Sequence, residues 1–309
     1  MNTGQRLKPA KKNDELLKAI FEDNFPDFLR FMYAEAEDIF DLDRGLTFMD
    51  KELLEIIPDR DRKKGKRIAD LLVKVFLKDG REKWILVHTE IEGGSDDGFS
   101  HRIFEYHYRI LDRYRMPVET IVVFTGSRSQ RRFDEYRYKV FRTSFEFRYL
   151  SYQIFDHQER ELLAMDNIFA YIVLACQKAL DENKLPEEEL AEERSTIARA
   201  LIETNKYSKD RIMSFLVFLK SFLFIRDKQI NSNFDKYIYQ VTGGTIEMGV
   251  IETIKRQERE KGKLEERAKA ETEKLIEKRA IALEFKRMGL PLADIAKGTG
   301  LTVEEIEKL

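Results

Sequence analysis

The chain has 309 residues, of which 42% are hydrophobic and 36% charged, so it can bury a sizeable core but carries more charge than an ordinary globular protein. Its formal net charge of −2 excludes nucleic-acid affinity based on overall basicity, and any phosphate-binding surface must be local. The single cysteine, Cys176, excludes an intrachain disulfide and a Cys/His zinc knuckle.

In chain order, the polar, lysine-rich segment 1–14 has no apolar stretch of the signal-peptide kind. From about Asp14 to Glu37, Leu17, Ile20, Phe21, Phe25, Phe28, Leu29 and Met32 recur at helical spacing, which predicts an amphipathic helix broken near Pro26. A short helix is expected over 50–57, closed by Pro58 and followed by the basic loop 59–67. Segment 68–77 reads as a strand, 78–81 (Lys-Asp-Gly-Arg) as a hairpin turn and 83–92 as the return strand. The Gly-rich stretch 93–98 precedes a helix over Phe99–Tyr114, Pro117, and a fully buried strand over Val118–Thr125. A further strand is expected over 147–155. This order predicts an α/β class, a mixed sheet flanked by helices.

Beyond Asp166 the pattern turns helical, with helices expected near 168–180, 190–204 and 209–225. Cys176 lies in the apolar run 172–176 and reads as a buried structural thiol. The longest apolar run, 212–225, is shorter than the roughly 20 residues a bilayer requires and contains Lys220. A soluble, cytoplasmic chain without membrane contact is expected. Residues 251–279 are nearly all Glu, Lys and Arg, and their apolar positions fit a seven-residue repeat only partly. That leaves open both a single charged helix and a coiled-coil homodimer. The end holds two copies of a Gly-Leu-x-x-x-x-Ile pattern, at 289–295 and 300–306, with Thr302 and Glu305 at capping-box spacing. A helix-turn-helix-like element is expected. The acids of its last helix would repel phosphates, so packing or dimerisation suits it better than DNA reading. The predicted organisation is a core over 1–165, a helical region over 166–248, a charged helix over 249–286 and the terminal element over 287–309.

The chemistry concentrates between Asp70 and Glu92. Alternation along a strand places Asp70, Leu72 and Lys74 on one face, and His88, Glu90 and Glu92 on one face of the return strand. A hairpin can set Asp70 beside Glu90. Gathering that many acids is costly without a cation. A hard divalent ion answers the need, and Mg²⁺ fits best because it retains waters for chemistry. Such a site can cleave a phosphodiester, with Lys74 or Arg102 holding the phosphate.

Asp70, a hairpin and then Glu90-x-Glu92 resembles the PD-(D/E)XK nuclease superfamily. The text around it (67–75, 86–93 and 102–110) is similar to the transposase-like branch, the recombination-promoting nucleases. The resemblance covers about 14–155 and implies a restriction-endonuclease-like fold and a Mg²⁺-dependent DNA endonuclease of low sequence specificity, linked to recombination, mobile elements or defence. It implies Asp70 and Glu90 as metal ligands, with Glu52 or Glu55 as a third, Glu52 preferred. It also implies Arg102 and Tyr106, four apart on one helix face, as a polar pair beside the catalytic strand. The sequence departs from the superfamily at the motif lysine, which is Glu92. Either Glu92 adds a ligand or Lys74 does the lysine's work. Basic stretches at 60–67 and 128–148, the second including Arg131, Arg132 and Arg137, would let a DNA duplex lie across the site. His88 could touch metal or phosphate, or be an ordinary hydrogen-bonded strand histidine. Two other readings stay open: a non-cleaving nucleic-acid binder with the nuclease fold, and an oligomeric interaction protein organised by the charged helix.

Overall fold

The computed structural model describes residues 10–49, 71–90, 98–180 and 185–248, and in the C-terminal part 278, 280–286, 288, 291–302 and 305–306. It divides into two compact units, Met1–Met248 and Gly249–Leu309.

The first unit is mixed α/β. It opens with α1 (Ala10–Asp23), α2 (Phe25–Met32) and α3 (Ala36–Ile39). The break predicted near Pro26 falls at Asn24, with the proline in the first turn of α2, where its missing N–H costs nothing. Strand β1 (Thr47–Phe48) pairs antiparallel with β2 (Leu71–Phe76), and β2 pairs antiparallel with β3 (Glu82–Glu90). The turn between β2 and β3 is at the predicted place, but only Gly80 takes a positive φ, of 81°. Asp79 contributes its carboxylate, which accepts from the Arg81 backbone N–H and from Arg81 Nε.

Helix α4 (Phe99–Tyr114) carries the chain back to β4 (Val118–Phe124), which runs parallel to β3. Strand β7 (Leu150–Gln153) lies parallel to β4 at the far side, giving the sheet order β1-β2-β3-β4-β7. Leu72 of β2 meets Tyr106 and Ile110 of α4, while Val122 and Phe124 of β4 meet Phe99 and Ile103. One face of α4 therefore covers the sheet across β2 and β4.

Between β4 and β7 stands a two-stranded hairpin, β5 (Glu135–Val140) and β6 (Thr143–Arg148). Sequence pattern marks this stretch only as basic and starts the following strand at 147. The hairpin escapes it because the alternating residues are aromatic and cationic, not aliphatic and polar. Its aromatic residues pack on α4 instead of joining the main sheet: Phe104 meets Tyr136, Phe145 and Phe147 with ring centroids 5.4, 4.6 and 5.8 Å apart.

After β7 the described residues up to 248 are helical: α5 (Glu159–Ala164), α6 (Ile168–Ala179), α7 (Glu187–Glu203), α8 (Lys209–Phe222) and α9 (Lys228–Val241). Helices α5 and α9 go beyond the three that periodicity predicts. Side-chain caps start three of them, at Asn167, Ser208 and Asp227. Helices α1 and α2 pack against this group. Phe169 of α6 lies 4.7 Å from Phe21 and 4.9 Å from Phe28, and Arg211 of α8 donates to Asn24 and Asp27.

In the second unit, α10 (Leu292–Thr299) ends at Gly300 in the left-handed conformation, with φ of 69°. Thr302 and Glu305 form the reciprocal bonds their spacing predicts. Ala282, Ile295, Leu301 and Ile306 make a small buried cluster that uses both apolar positions of the terminal repeat, Ile295 and Ile306. The charged segment 249–277, and with it the coiled-coil expectation, lies outside the described residues. Among the described residues no helix is long and apolar enough to cross a membrane.

Candidate active site

The carboxyl ends of the parallel strands β3, β4 and β7 lie side by side. Glu90 stands beside Phe124 in register, and Phe124 beside Gln153. In open α/β sheets this end of the strands is where ligands bind, because loops there can diverge without breaking the sheet. Here the loop 125–134 leaves β4 and is tied down on β7. Arg132 donates from Nη1 to both oxygens of Asp156, from Nε to Ser151 Oγ and from Nη2 to the Ser151 carbonyl. Gln153 Nε2 donates to the Ser127 carbonyl, and Gly126 N–H to Gln130 Oε1.

Two exposed guanidinium groups ride on this anchored loop. Arg128 lies over Phe155, 4.2 Å from the ring centroid, and Arg131 over Phe133 at 4.6 Å. Placement over a ring helps to hold a guanidinium in position. In the first turn of α4, Arg102 lies over Phe99 at 5.3 Å. Three arginines thus flank the end of the sheet that carries Glu90. Of these, Arg128 is in sequence terms only one cation in a basic run; its partner Phe155 lies beyond three intervening strands, a pairing that no local pattern encodes.

The other residues named from sequence fall as follows. Glu52, Glu55, Asp70 and Glu92 lie outside the described residues. Glu90 and His88 are placed by backbone register only, His88 beside Val122. Lys74 stands opposite Trp84, six positions from Glu90, or about 20 Å along the strand. Its ammonium pairs with Glu82 near the turn. The hairpin carries Lys74 away from Glu90, so it cannot supply the missing motif lysine there. Tyr106 is fully buried beneath the sheet with Leu72 and Ile110. It faces the core because it falls in the same helical stripe as Phe99, Ile103 and Ile110. Arg132 is a tie between loop and strand, with its donors committed to Asp156 and Ser151. Arg137 sits on β5 with Nε 3.1 Å from Glu135, well along the projecting hairpin.

Among the described residues no group of three His, Cys, Asp or Glu side chains is gathered as a metal site. A cleft of about 360 Å³ between α2 and α8 contains Asp23, Asp27 and Asp43, but Asp27 is bonded to Arg211 and Asp23 to Ser214. His107 lies on α4 beside the sheet. Its Nδ1 lies 2.9 Å from Thr120 Oγ1, and burial lowers its pKa, so it is a neutral structural group. Tyr149, bonded to Ser100 of α4, is likewise raised to about 12 by burial and carries no charge at neutral pH.

No family model matches this chain, and no curated protein or solved structure matches it significantly.

Proposed function

We propose that the chain is a metal-dependent nuclease of the PD-(D/E)XK kind, acting on DNA with low sequence specificity. The observation that carries this reading is the path of the chain around Glu90. An antiparallel hairpin leads into β3, a helix crosses back, and β4 lies parallel, so that the Glu90 end of β3 adjoins a loop bearing Arg128 and Arg131. A carboxylate strand end beside exposed arginines suits a ligand that carries both a metal ion and negative oxygen.

The proposed ligand set, Asp70 and Glu90 with Glu52, consists of hard oxygen donors, which fits Mg²⁺ and not a soft metal. When bound, such an ion would polarise the scissile phosphate. The arginines of the rim would hold neighbouring phosphates in register, and the ties from Arg132 and Gln153 would keep that rim from yielding. Transposition, recombination or defence is the biological setting that the family resemblance suggests, with the charged segment 249–286 as the dimerisation element.

Incubation of the full chain with supercoiled plasmid tests the reading. Nicking is expected with Mg²⁺ and none with a chelator. Asp70→Asn and Glu90→Gln should each reduce it by roughly a hundredfold or more, about 2.7 kcal/mol of barrier. Nicking that is indifferent to metal, or close to wild type in either variant, would overturn the assignment. DNA binding without any cleavage would favour a nuclease-fold binder.

A further inference from the structure

The β5–β6 hairpin ends in a residue that folding alone does not account for. Phe141 occupies the turn with φ of 50°, a conformation in which glycine, asparagine or aspartate is the ordinary choice. It is also 95% exposed. A phenylalanine there incurs backbone strain and forgoes the stabilisation that burial of its ring would contribute. A non-glycine outlier of this kind at a loop tip points to function.

The surroundings specify the ligand. From Tyr136 to Phe145 there are three cations, Arg137, Lys139 and Arg142, and no acid. Lys139 and Arg142 flank the tip, both exposed. The acids of the hairpin, Glu135 and Glu146, lie at its base, where Arg148 meets both. The tip is also held firmly: Tyr138 stacks on Phe145 at 5.7 Å, and these rings continue through Tyr136 to Phe104 of α4. A two-stranded ribbon thus presents an exposed aromatic ring with Lys139 and Arg142 on either side of it in sequence. Nucleic acid offers the complement, a base face between phosphates.

We propose that the hairpin tip is a nucleic-acid contact in which the Phe141 ring stacks on a base while Lys139 and Arg142 neutralise adjacent phosphates. The base is supplied by a single strand or by a duplex step opened by insertion of the ring. The proposal rests on the nucleic-acid reading of the chain but not on cleavage.

Binding of the full-length chain to labelled oligonucleotides in chelator, by fluorescence anisotropy, separates the two. Phe141→Ala should weaken binding to a single strand or to a duplex with an unpaired base by roughly 5- to 150-fold, from about 1–3 kcal/mol per stacked base. Phe141→Trp should bind at least as well as wild type, and its added indole should lose fluorescence on binding. Lys139→Ala with Arg142→Ala should flatten the salt slope by about 0.7 per lost contact on a single strand. Comparison of single-stranded, perfect and bulged duplex probes assigns the source of the base. Affinity within twofold of wild type for Phe141→Ala on all three probes, an indole left unquenched by DNA in Phe141→Trp, or binding to anionic vesicles in place of DNA would overturn the proposal. Loss of binding in Phe141→Ala without any Mg²⁺-dependent nicking would retain the tip contact and sink only the nuclease reading.

Discussion

The Arg132 guanidinium closes on the Asp156 carboxylate, with Nη1 2.9 and 2.8 Å from its two oxygens, and so fastens the loop after β4 to the turn after β7. The same carboxylate accepts from the Gln153 backbone N–H at 3.0 Å, so one acid holds both the turn and the arginine. Removal of the acid should therefore loosen the platform under Arg128 and Arg131. Both partners are partly exposed, and the cost to stability is about 1 kcal/mol, below that of a buried pair. Asp156→Ala is expected to lower the melting temperature by roughly 2–4 °C in a unit of this size.

Arg132→Ala should show the same thermal loss with little change in the salt dependence of DNA binding. Arg128→Ala and Arg131→Ala should instead flatten that dependence, each contact on a duplex contributing about 0.9 to the slope. A flattened slope in Arg132→Ala would return that residue to the DNA-contacting set.

Lys74 provides a second test, because register alone moves it out of the site. It stands opposite Trp84 in register and pairs with Glu82, about 20 Å along the strand from Glu90. Lys74→Ala is expected to leave the plasmid-nicking rate within about threefold of wild type. A loss of a hundredfold with an intact fold would mean that Lys74 reaches the reacting phosphate after all.

These cases also mark what could be read from the residues alone. Helix α4 was legible to the residue, because the stripe Phe99, Ile103, Tyr106, Ile110 is strictly helical and Pro117 stops the chain just after it. The β2–β3 hairpin was legible from Asp79-Gly80. What local pattern could not give was register. Alternation placed Asp70, Leu72 and Lys74 on one face of a strand but did not say how far along the partner each would stand. Tyr106, which the resemblance pairs with Arg102 beside the catalytic strand, is fully buried because it falls in the apolar stripe of α4. The β5–β6 hairpin was illegible for another reason. Its apolar face consists of rings that pack on Phe104, a contact across more than thirty residues of chain that nothing near Tyr136 announces.

His107 gives a pH dependence whose sign is fixed by burial. Its imidazole lies against Phe147, ring centroids 4.5 Å apart, with Nδ1 at Thr120, and burial lowers its pKa below the ordinary 6.5. The unfolded chain therefore takes up the proton first as pH falls. Stability is full above about pH 6.5 and declines as the pH drops from there toward the folded-state pKa. Denaturant unfolding of wild type and His107→Gln at pH 7.5 and at lower pH should show the variant losing less stability on acidification. Equal losses would assign the acid sensitivity to other groups.

Cys176 gives the last prediction. It lies in α6, where every residue from Ile168 to Gln177 is buried, and its thiol is pushed up to about 12 by that burial. Thiol reagents attack the thiolate, and at pH 8 a group with a pKa near 12 is ionised to only about one part in ten thousand. The surrounding helix also blocks access, since Cys176 is only 4% exposed. Both effects act in one direction, so the native chain should react with a disulfide reagent only as fast as this part of the fold opens. One thiol per chain should be released at once in denaturant, because the sequence holds a single cysteine. Across pH 7 to 9 the native rate should stay far below that of the unfolded chain, whose thiol titrates near its ordinary value of about 8.5. Labelling of the folded protein at a rate close to that of the unfolded chain would show an exposed Cys176 and a looser packing of α6 against α1 and α2 than Phe21, Phe28 and Phe169 imply.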